Sequence, residues 1–163
     1  MTNEHTLYLS LGSNIAPEYN LPSAIRLLRP HSTIEAISSV WETTAIGSQG
    51  PNFLNLVVLI CCPLPPDKFK IQVIRRIEAQ LGRVRSQDKN SPRTIDIDIL
   101  IADGQILDKQ IWERAHLAVP LSELNQEIIE PTSKLQIRSI ANNLAVLQPI
   151  KPRSDVTALV NQI

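Results

Sequence analysis

Arg93-Thr94-Ile95-Asp96-Ile97-Asp98-Ile99-Leu100-Ile101-Ala102-Asp103-Gly104 is the stretch on which the reading turns. Isoleucine alternates with a second residue type at a period of two, the spacing of a β-strand. Successive side chains of a strand point to opposite faces, so Ile95, Ile97 and Ile99 share the core side and Asp96 and Asp98 share the other. Asp103-Gly104 is a strong two-residue hairpin signal and leads into Gln105 to Leu107. The stretch Thr94 to Ala102 is therefore expected to be a strand that carries two carboxylates on one face and ends in a tight turn.

Working outward, Leu7, Leu9 and Leu11 alternate with Tyr8 and Ser10 in a second strand, which Gly12-Ser13-Asn14 breaks. Asn20 is expected to cap a helix with Leu21, Ala24, Ile25 and Leu28 on one face, stopped by Pro30. Thr33 to Thr43 reads as one strand and Phe53 to Cys61 as another, largely buried. Between them the loop Ala45 to Asn52 holds two glycines and a proline. Phe69, Val73, Ile77 and Leu81 fall at helical spacing, with Asp67 as the expected N-cap and Gly82 as a left-handed stop. Val119 to Leu124 reads as a short strand or turn, and Ile137 to Leu147 as a helix. The order β-α-β-β-α-β fits an α+β ferredoxin-like sandwich, a mainly antiparallel sheet with helices packed on its faces. A length of 163 residues suits a single domain.

Composition narrows the function. Sixteen basic and sixteen acidic side chains cancel, which argues against a sequence-independent nucleic-acid binder. Two each of Trp, Tyr and Phe are few for a protein that stacks many bases. The apolar run Leu56 to Cys62 is too short to span a bilayer, and the first residues lack a hydrophobic signal core. Cys61 and Cys62 are neighbours that a strand would point to opposite faces, so they read as buried thiols rather than a disulfide or a Cys-x-x-Cys metal pair. A reducing cytoplasm is the expected location.

The neutral total hides a switch. From Lys68 to Arg93 there are eight basic residues against two acidic, a net of +6; from Thr94 to Glu130 there are two basic against eight acidic, a net of −6. The two segments meet at Asp96 and Asp98. An Asp-x-Asp strand alone also reads as the polar face of an edge strand, and Arg75 and Arg76 as part of a solvated helix face. Arg83, Arg85 and Arg93, however, lie on or beside a loop leading straight to the carboxylates. Forked guanidiniums suit phosphate oxygens, and two carboxylates suit Mg²⁺ that completes its shell with water and phosphate. Together they are the equipment of phosphoryl or pyrophosphoryl transfer. There is no Walker A motif and no Gly-x-Gly-x-x-Gly, and His5, His31 and His116 sit in no catalytic motif.

Several separated stretches then coincide: Leu9 to Asn14, Ser38 to Thr43 with Gly47, Phe53-Leu54-Asn55, Arg76-Ile77-Glu78, Leu81 to Arg85, Ser91 to Leu100 and Val119 to Leu124. In this order, over roughly residues 7 to 131, the chain resembles the 6-hydroxymethyl-7,8-dihydropterin pyrophosphokinase family of folate biosynthesis. The resemblance implies that ATP donates a pyrophosphoryl group to the hydroxymethyl oxygen of the reduced pterin, leaving AMP. It implies that Asp96 and Asp98 hold two Mg²⁺ and that Arg85 and Arg93 act on the phosphates. Arg75, Glu78, Ile99 and His116 then belong to the ATP site with those arginines. Thr43, Thr44, Ile46, Phe53 and Asn55 form the pterin slot, Phe53 stacking on the ring and Asn55 bonding its edge. The partners implied are the two substrates, with no nucleic acid and no membrane, and the chain is expected to be a monomer or weak dimer.

The chain departs from that family in four places. Arg75 stands where a glutamine is usual, Thr44 replaces a proline, and Asn90 stands where some members carry an aromatic that closes over the pterin. Between Asp98 and Pro120 the chain is short, and a Pro-His segment with a following arginine-and-aromatic loop is partly deleted. His116 is the candidate for the family histidine, and Arg114 or Lys109 for the lost positive charge. Two alternatives stand beside the enzyme reading: a non-catalytic nucleotide- or pterin-binding member, and a nucleotidyltransferase, against which the long separation of Gly12-Ser13 from Asp96 counts.

Overall fold

The computed structural model describes residues 3–45 and 50–163. Among them, seven strands form one antiparallel sheet. In chain order the strands and main helices are β1 (His5–Ser13), α1 (Pro17–Leu28), β2 (Thr33–Ile37), β3 (Trp41–Thr43), β4 (Phe53–Cys62), α2 (Pro66–Phe69), α3 (Arg75–Gln80), β5 (Asp96–Ala102), β6 (Gln105–Ile106), α4 (Ala115–Leu124), α5 (Ile137–Leu147), β7 (Ile150–Pro152) and α6 (Ser154–Asn161). A π-helical turn, Lys70–Ile74, joins α2 to α3 without a break. The sheet runs β6-β5-β1-β4-β3-β7, and β2 pairs with the far half of β4.

The strand period explains two cores. Leu7, Leu9 and Leu11 of β1 and Leu54, Leu56, Val58 and Ile60 of β4 bury on one face, under α1, the helix of residues 66–80 and α6. Val57, Leu100 and Ile101 bury on the other, against α4 and α5. The expected fold class, helices on the faces of an antiparallel sheet, is what the structure has. Cys61 and Cys62 are both free, and no helix among the described residues is long and apolar enough to cross a membrane.

Several boundaries differ from expectation, each for a local reason. Helix α1 begins at Pro17, whose fixed φ suits a first helical position. Asn20 therefore lies inside the helix, where its amide donates to the Ile15 carbonyl at 2.6 Å rather than capping. The helix at residue 66 likewise starts on a proline and leaves Asp67 in its first turn. The single strand Thr33 to Thr43 is two strands. Ser38 accepts from Val57 N through its hydroxyl, and Val40 is taken by the C-terminal segment, donating to Thr157 Oγ1 and accepting from Arg153 N. Those long-range partners divert the backbone at Ser38 to Val40. Val119 to Leu124 is the second half of α4, helical despite Pro120 because Leu117, Ala118 and Leu121 bury against the sheet and α5. β7 and α6 carry no strong periodic signal and form because β3 and α1 give them something to pack on.

Other expectations hold closely. Asp103 and Gly104, with φ of 50° and 79°, make the two-residue turn between β5 and β6. Helix α5 has the expected bounds. Gly82, with φ of 80°, ends the helix in a Schellman arrangement: Arg83 N donates to Glu78 O at 2.9 Å and Gly82 N to Ala79 O at 3.0 Å. This reversal delivers Arg83 back over the helix end.

Candidate active site

Strand β5 lies beside β1, and its far edge pairs with β6 only at Ile101 and Ala102. The edge at Ile97 would leave an N–H without a ladder partner. Buried Glu78 fills that place: its Oε1 accepts from Ile97 N at 3.1 Å. The same carboxylate accepts from Arg83 at 2.6 Å and from Arg85 at 3.0 Å. Arg83 also reaches Asp96 at 2.6 Å, and Arg93 holds the second oxygen of Asp96 at 2.8 Å. The chain Arg85–Glu78–Arg83–Asp96–Arg93 thus ties the helix, the loop and β5 together. Burial pulls the Arg83 guanidinium pKa down, but Asp96 and Glu78 outweigh it and the net shift is upward.

Arg93 is aimed through its backbone. Asn14, 2% exposed, accepts from Arg93 N at 2.7 Å with its side chain, and its own N–H donates to Arg93 O at 3.1 Å. Against expectation β1 continues through Gly12 and Ser13, both held in the ladder by β4, so the strand ends only before Asn14, and Asn14 is the anchor of the arginine loop. Gly12 has its own requirement: it pairs with Asn55 across β1 and β4, and a Cβ there would sit 3.0 Å from Asn55 Oδ1. Asn55 in turn donates to Thr43 Oγ1 at 3.1 Å. The Arg93 guanidinium stands 5.8 Å from the centroid of the Phe53 ring.

Two clefts share Asp96 and Asp98 as a common wall. The first, about 310 Å³, is lined by Gly12, Thr43, exposed Thr44, Phe53 and Asn55, by Lys89, Asn90 and Arg93, and by Asp108, Gln110, Arg114 and His116. The second, about 270 Å³, is lined by Lys70, Arg75, Glu78, Arg83 and Arg85. Surrounding groups desolvate the Asp98 carboxyl and, with the charges of Asp96, Asp108 and Glu78, push it up to about 6 against Lys70. Burial and the Arg114 charge push the His116 imidazole down to about 4, so it is neutral at pH 7.

Among the described residues no three His, Cys, Asp or Glu side chains converge as a closed metal cage. What remains is an all-oxygen pair, Asp96 and Asp98, whose mutual repulsion a hard cation would relieve. That donor set fits Mg²⁺ completed by water and phosphate oxygens. The arrangement can hold a flat polar heterocycle in the first cleft and a polyanion against the arginines of the second, with the carboxylates between them.

This geometry has relatives. Residues 8–126 match the family model described as 7,8-dihydro-6-hydroxymethylpterin-pyrophosphokinase (HPPK). The chain belongs to that family. A 2-amino-4-hydroxy-6-hydroxymethyldihydropteridine pyrophosphokinase of Aquifex aeolicus is 34% identical over 137 residues, covering 77% of this chain and 84% of that protein. The bifunctional protein FolKE of Lactococcus lactis subsp. lactis is 36% identical over 131 residues, 73% of this chain, but the chain spans only 37% of it. The crystal structure of wild-type Plasmodium falciparum HPPK-DHPS superposes with a TM-score of 0.68 over 90% of this chain and 45% of that one; at 13% identity this likeness speaks to the fold.

The structure brings most of the expected site residues together. Asp96, Asp98, Arg93, Thr43, Thr44, Phe53 and Asn55 meet in the first cleft, and Arg75, Glu78 and Arg85 in the second. His116 stands in the first cleft, with Phe53, and does not line the second with Glu78. Ile99 lines neither cleft and packs against the first core. Ile46 and Gly47 lie outside the described residues. Arg114 lines the first cleft, and exposed Lys109 does not. The sequence reading missed Lys70, Asp108 and Asn14's hold on Arg93. Lys70 had a signal, since it precedes Glu78 by two helical turns on one face. Asp108 had none beyond its place in the acidic segment.

Proposed function

We propose that this chain performs its family's reaction where the two clefts meet: transfer of pyrophosphate from ATP to the hydroxymethyl oxygen of 6-hydroxymethyl-7,8-dihydropterin, giving the pterin diphosphate and AMP in folate biosynthesis. One observation carries the reading: Asp96 and Asp98 are a wall common to a cleft of amide, hydroxyl and aromatic groups and a cleft of arginines. Phe53 and Asn55 orient the pterin in the first, with Thr43 holding the Asn55 amide. Arg75, Arg83 and Arg85 face the nucleotide in the second, and Glu78 sets the angle of the last two. Arg93 lines the first cleft and holds Asp96 on the shared wall.

The pterin hydroxyl gives up its proton to solvent, its oxygen forms a bond to the β-phosphorus as the bond from that phosphorus to the α-phosphate oxygen breaks, and AMP departs with that bridging oxygen. Asp96 and Asp98 would hold Mg²⁺, two ions in our reading, which neutralises phosphate oxygens when bound. No covalent intermediate on the protein is required; positioning and charge neutralisation supply the rate. Ion pairing of Arg83 and Arg93 compensates Asp96, while Asp98 makes no ion pair among the described residues and is left to the metal ion. We read residues 1–163 as a single pyrophosphokinase domain acting in the cytoplasm as a monomer or weak dimer. Family membership leaves the nucleotidyltransferase alternative without support, although pairing does set Gly12 opposite Asp96.

The test is AMP release from ATP, Mg²⁺ and 6-hydroxymethyl-7,8-dihydropterin. AMP formed in step with pterin diphosphate supports the reading. Calorimetric binding of both substrates without AMP identifies a non-catalytic member instead.

A further inference from the structure

Gln148 closes α5 and stands two residues before β7, its own N–H donating to Leu144 O at 2.8 Å. Its side chain turns instead to the entrance of α4. There Oε1 accepts from Ala115 N at 2.8 Å and Nε2 donates to Glu113 O at 2.8 Å. One amide thereby serves the backbone on both sides of Arg114, as a neighbouring strand would. The need is physical: Ala115 opens α4 and is buried, Arg114 supplies no side-chain cap, and the Ala115 N–H would otherwise be an orphan donor. Arg114 is extended, with φ of −119° and ψ of 119°. Its guanidinium lines the first cleft and makes no ion pair or hydrogen bond with a described residue. A side chain without partners goes where its backbone sends it. The other end of the same short link is fixed too, since Ile150 pairs with Thr43, which lines that cleft. Residues 148–150 therefore tie the start of α4 to β3. Asp108, Gln110, Arg114 and His116 line the first cleft, and none of them lines the second.

We propose that Gln148 is a positioning residue of the first cleft: by bonding Glu113 O and Ala115 N it fixes the backbone of Arg114, and so where that guanidinium stands beside the bound pterin. The proposal rests on the pyrophosphokinase reading and brings to it a residue that lines neither cleft. Gln148 touches neither substrate; it acts through Arg114. Its chemistry separates the replacements. Glutamate keeps the acceptor for Ala115 N, where a negative charge also suits a helix N-terminus, but it sets an oxygen against Glu113 O and loses that bond. Alanine loses both bonds. Because the segment that Gln148 holds lines only the first cleft, the consequence falls on the pterin and not on ATP.

The experiment compares wild type with Gln148→Ala, Gln148→Glu, Arg114→Ala and the double variant Gln148→Ala/Arg114→Ala, each well below its Tm. The readouts are steady-state kcat and KM for each substrate, and fluorescence titration of 6-hydroxymethyl-7,8-dihydropterin in the presence of α,β-methylene-ATP and Mg²⁺. Gln148→Ala is expected to lower kcat/KM for the pterin and weaken the titrated pterin Kd by about tenfold, short of the roughly hundredfold that a displacement of 1 Å can cost, with the ATP KM within about twofold of wild type. Gln148→Glu should fall between Ala and wild type, and Arg114→Ala should lose at least as much as Gln148→Ala. In the Arg114→Ala background the further loss from Gln148→Ala should shrink to less than about twofold, because the group being positioned is gone. A purely structural Gln148 gives losses that multiply in the double variant, and that result overturns the assignment. So does an ATP KM that rises as much as the pterin KM, or a Gln148→Ala variant equal to wild type. Where Gln148→Ala does not fold, Gln148→Glu takes its place in the same cycle. The titration needs no turnover. A wild type that releases no AMP while its pterin Kd still depends on Gln148 through Arg114 refutes the reaction and upholds the positioning, whereas normal AMP release with pterin binding indifferent to residue 148 does the reverse.

Discussion

Replacing Glu78 tests whether the clamp between helix and strand is what holds the site. Its carboxylate is 3% exposed and accepts from Arg83, Arg85 and the Ile97 N–H. Glu78→Gln keeps one acceptor oxygen of nearly the same shape. That oxygen can still serve Ile97 N and Arg83, but the charge is gone and the amide nitrogen opposes Arg85. Arg85 is 63% exposed and rehydrates, so that half of the loss is below about 1 kcal/mol. Arg83 is 12% exposed and retains Asp96; exchanging its charged acceptor at Glu78 for a neutral one removes about 1 kcal/mol more. The expected destabilisation of Glu78→Gln is therefore about 1–2 kcal/mol. Glu78→Ala removes every acceptor, orphans the Ile97 N–H and leaves Arg83 buried with half its compensation, for about 3–5 kcal/mol. In a chain this size each kcal/mol moves Tm by about 2–4 °C. Urea titration followed by circular dichroism measures both variants. Equal losses for Gln and Ala, or losses under about 0.5 kcal/mol for both, refute the argument that hydrogen-bond satisfaction at Glu78 joins the helix to β5.

Three further outcomes are expected. Asp96→Asn and Asp98→Asn should each lower kcat by on the order of 10²-fold or more; full turnover in either sinks its place as a Mg²⁺ ligand. Gly12→Ala should cost about 1–3 kcal/mol by pressing on Asn55 and raise the pterin KM more than the ATP KM; an unchanged pterin KM would show that Asn55 does not need its present position. The raised Asp98 and lowered His116 act oppositely on stability without Mg²⁺. Folded Asp98 holds its proton more tightly than the unfolded chain, so its contribution is present at low pH and lost as pH rises from about 4 through 6. The unfolded chain protonates His116 first, so that contribution is present above about 6.5 and lost as pH falls toward 4. Asp98→Asn should therefore gain on wild type as pH rises from 4 to 7, and His116→Phe should gain as it falls; urea midpoints across that range with either trend reversed would show the shift to be misassigned.

Much of the site was legible in the chain because it is local. The alternation from Ile95 to Ile99 sets which face carries Asp96 and Asp98, the Asp103-Gly104 dipeptide sets the turn, and Gly82 sets the reversal that returns Arg83 to Glu78. Each depends on φ preferences or side-chain period within a few residues, and a chain cannot hide those. The charge switch across Arg93 and Thr94 likewise marked where cations and carboxylates meet.

Tertiary structure decided the rest, because it depends on partners distant in sequence. Nothing near Val119 announces a helix around Pro120; the sheet and α5 impose it by burying Leu117 and Leu121. Nothing between Thr33 and Thr43 announces a break; Arg153 and Thr157, more than a hundred residues on, impose it by taking the Val40 backbone. The same holds for His116. The family resemblance made it a candidate for the nucleotide site, its sequence neighbours gave it no motif, and only the packing of α4 sets its ring in the cleft with Phe53 and Asn55. Local chemistry named the carboxylates and arginines; the order of strands across the sheet determined which of the two clefts each remaining residue lines.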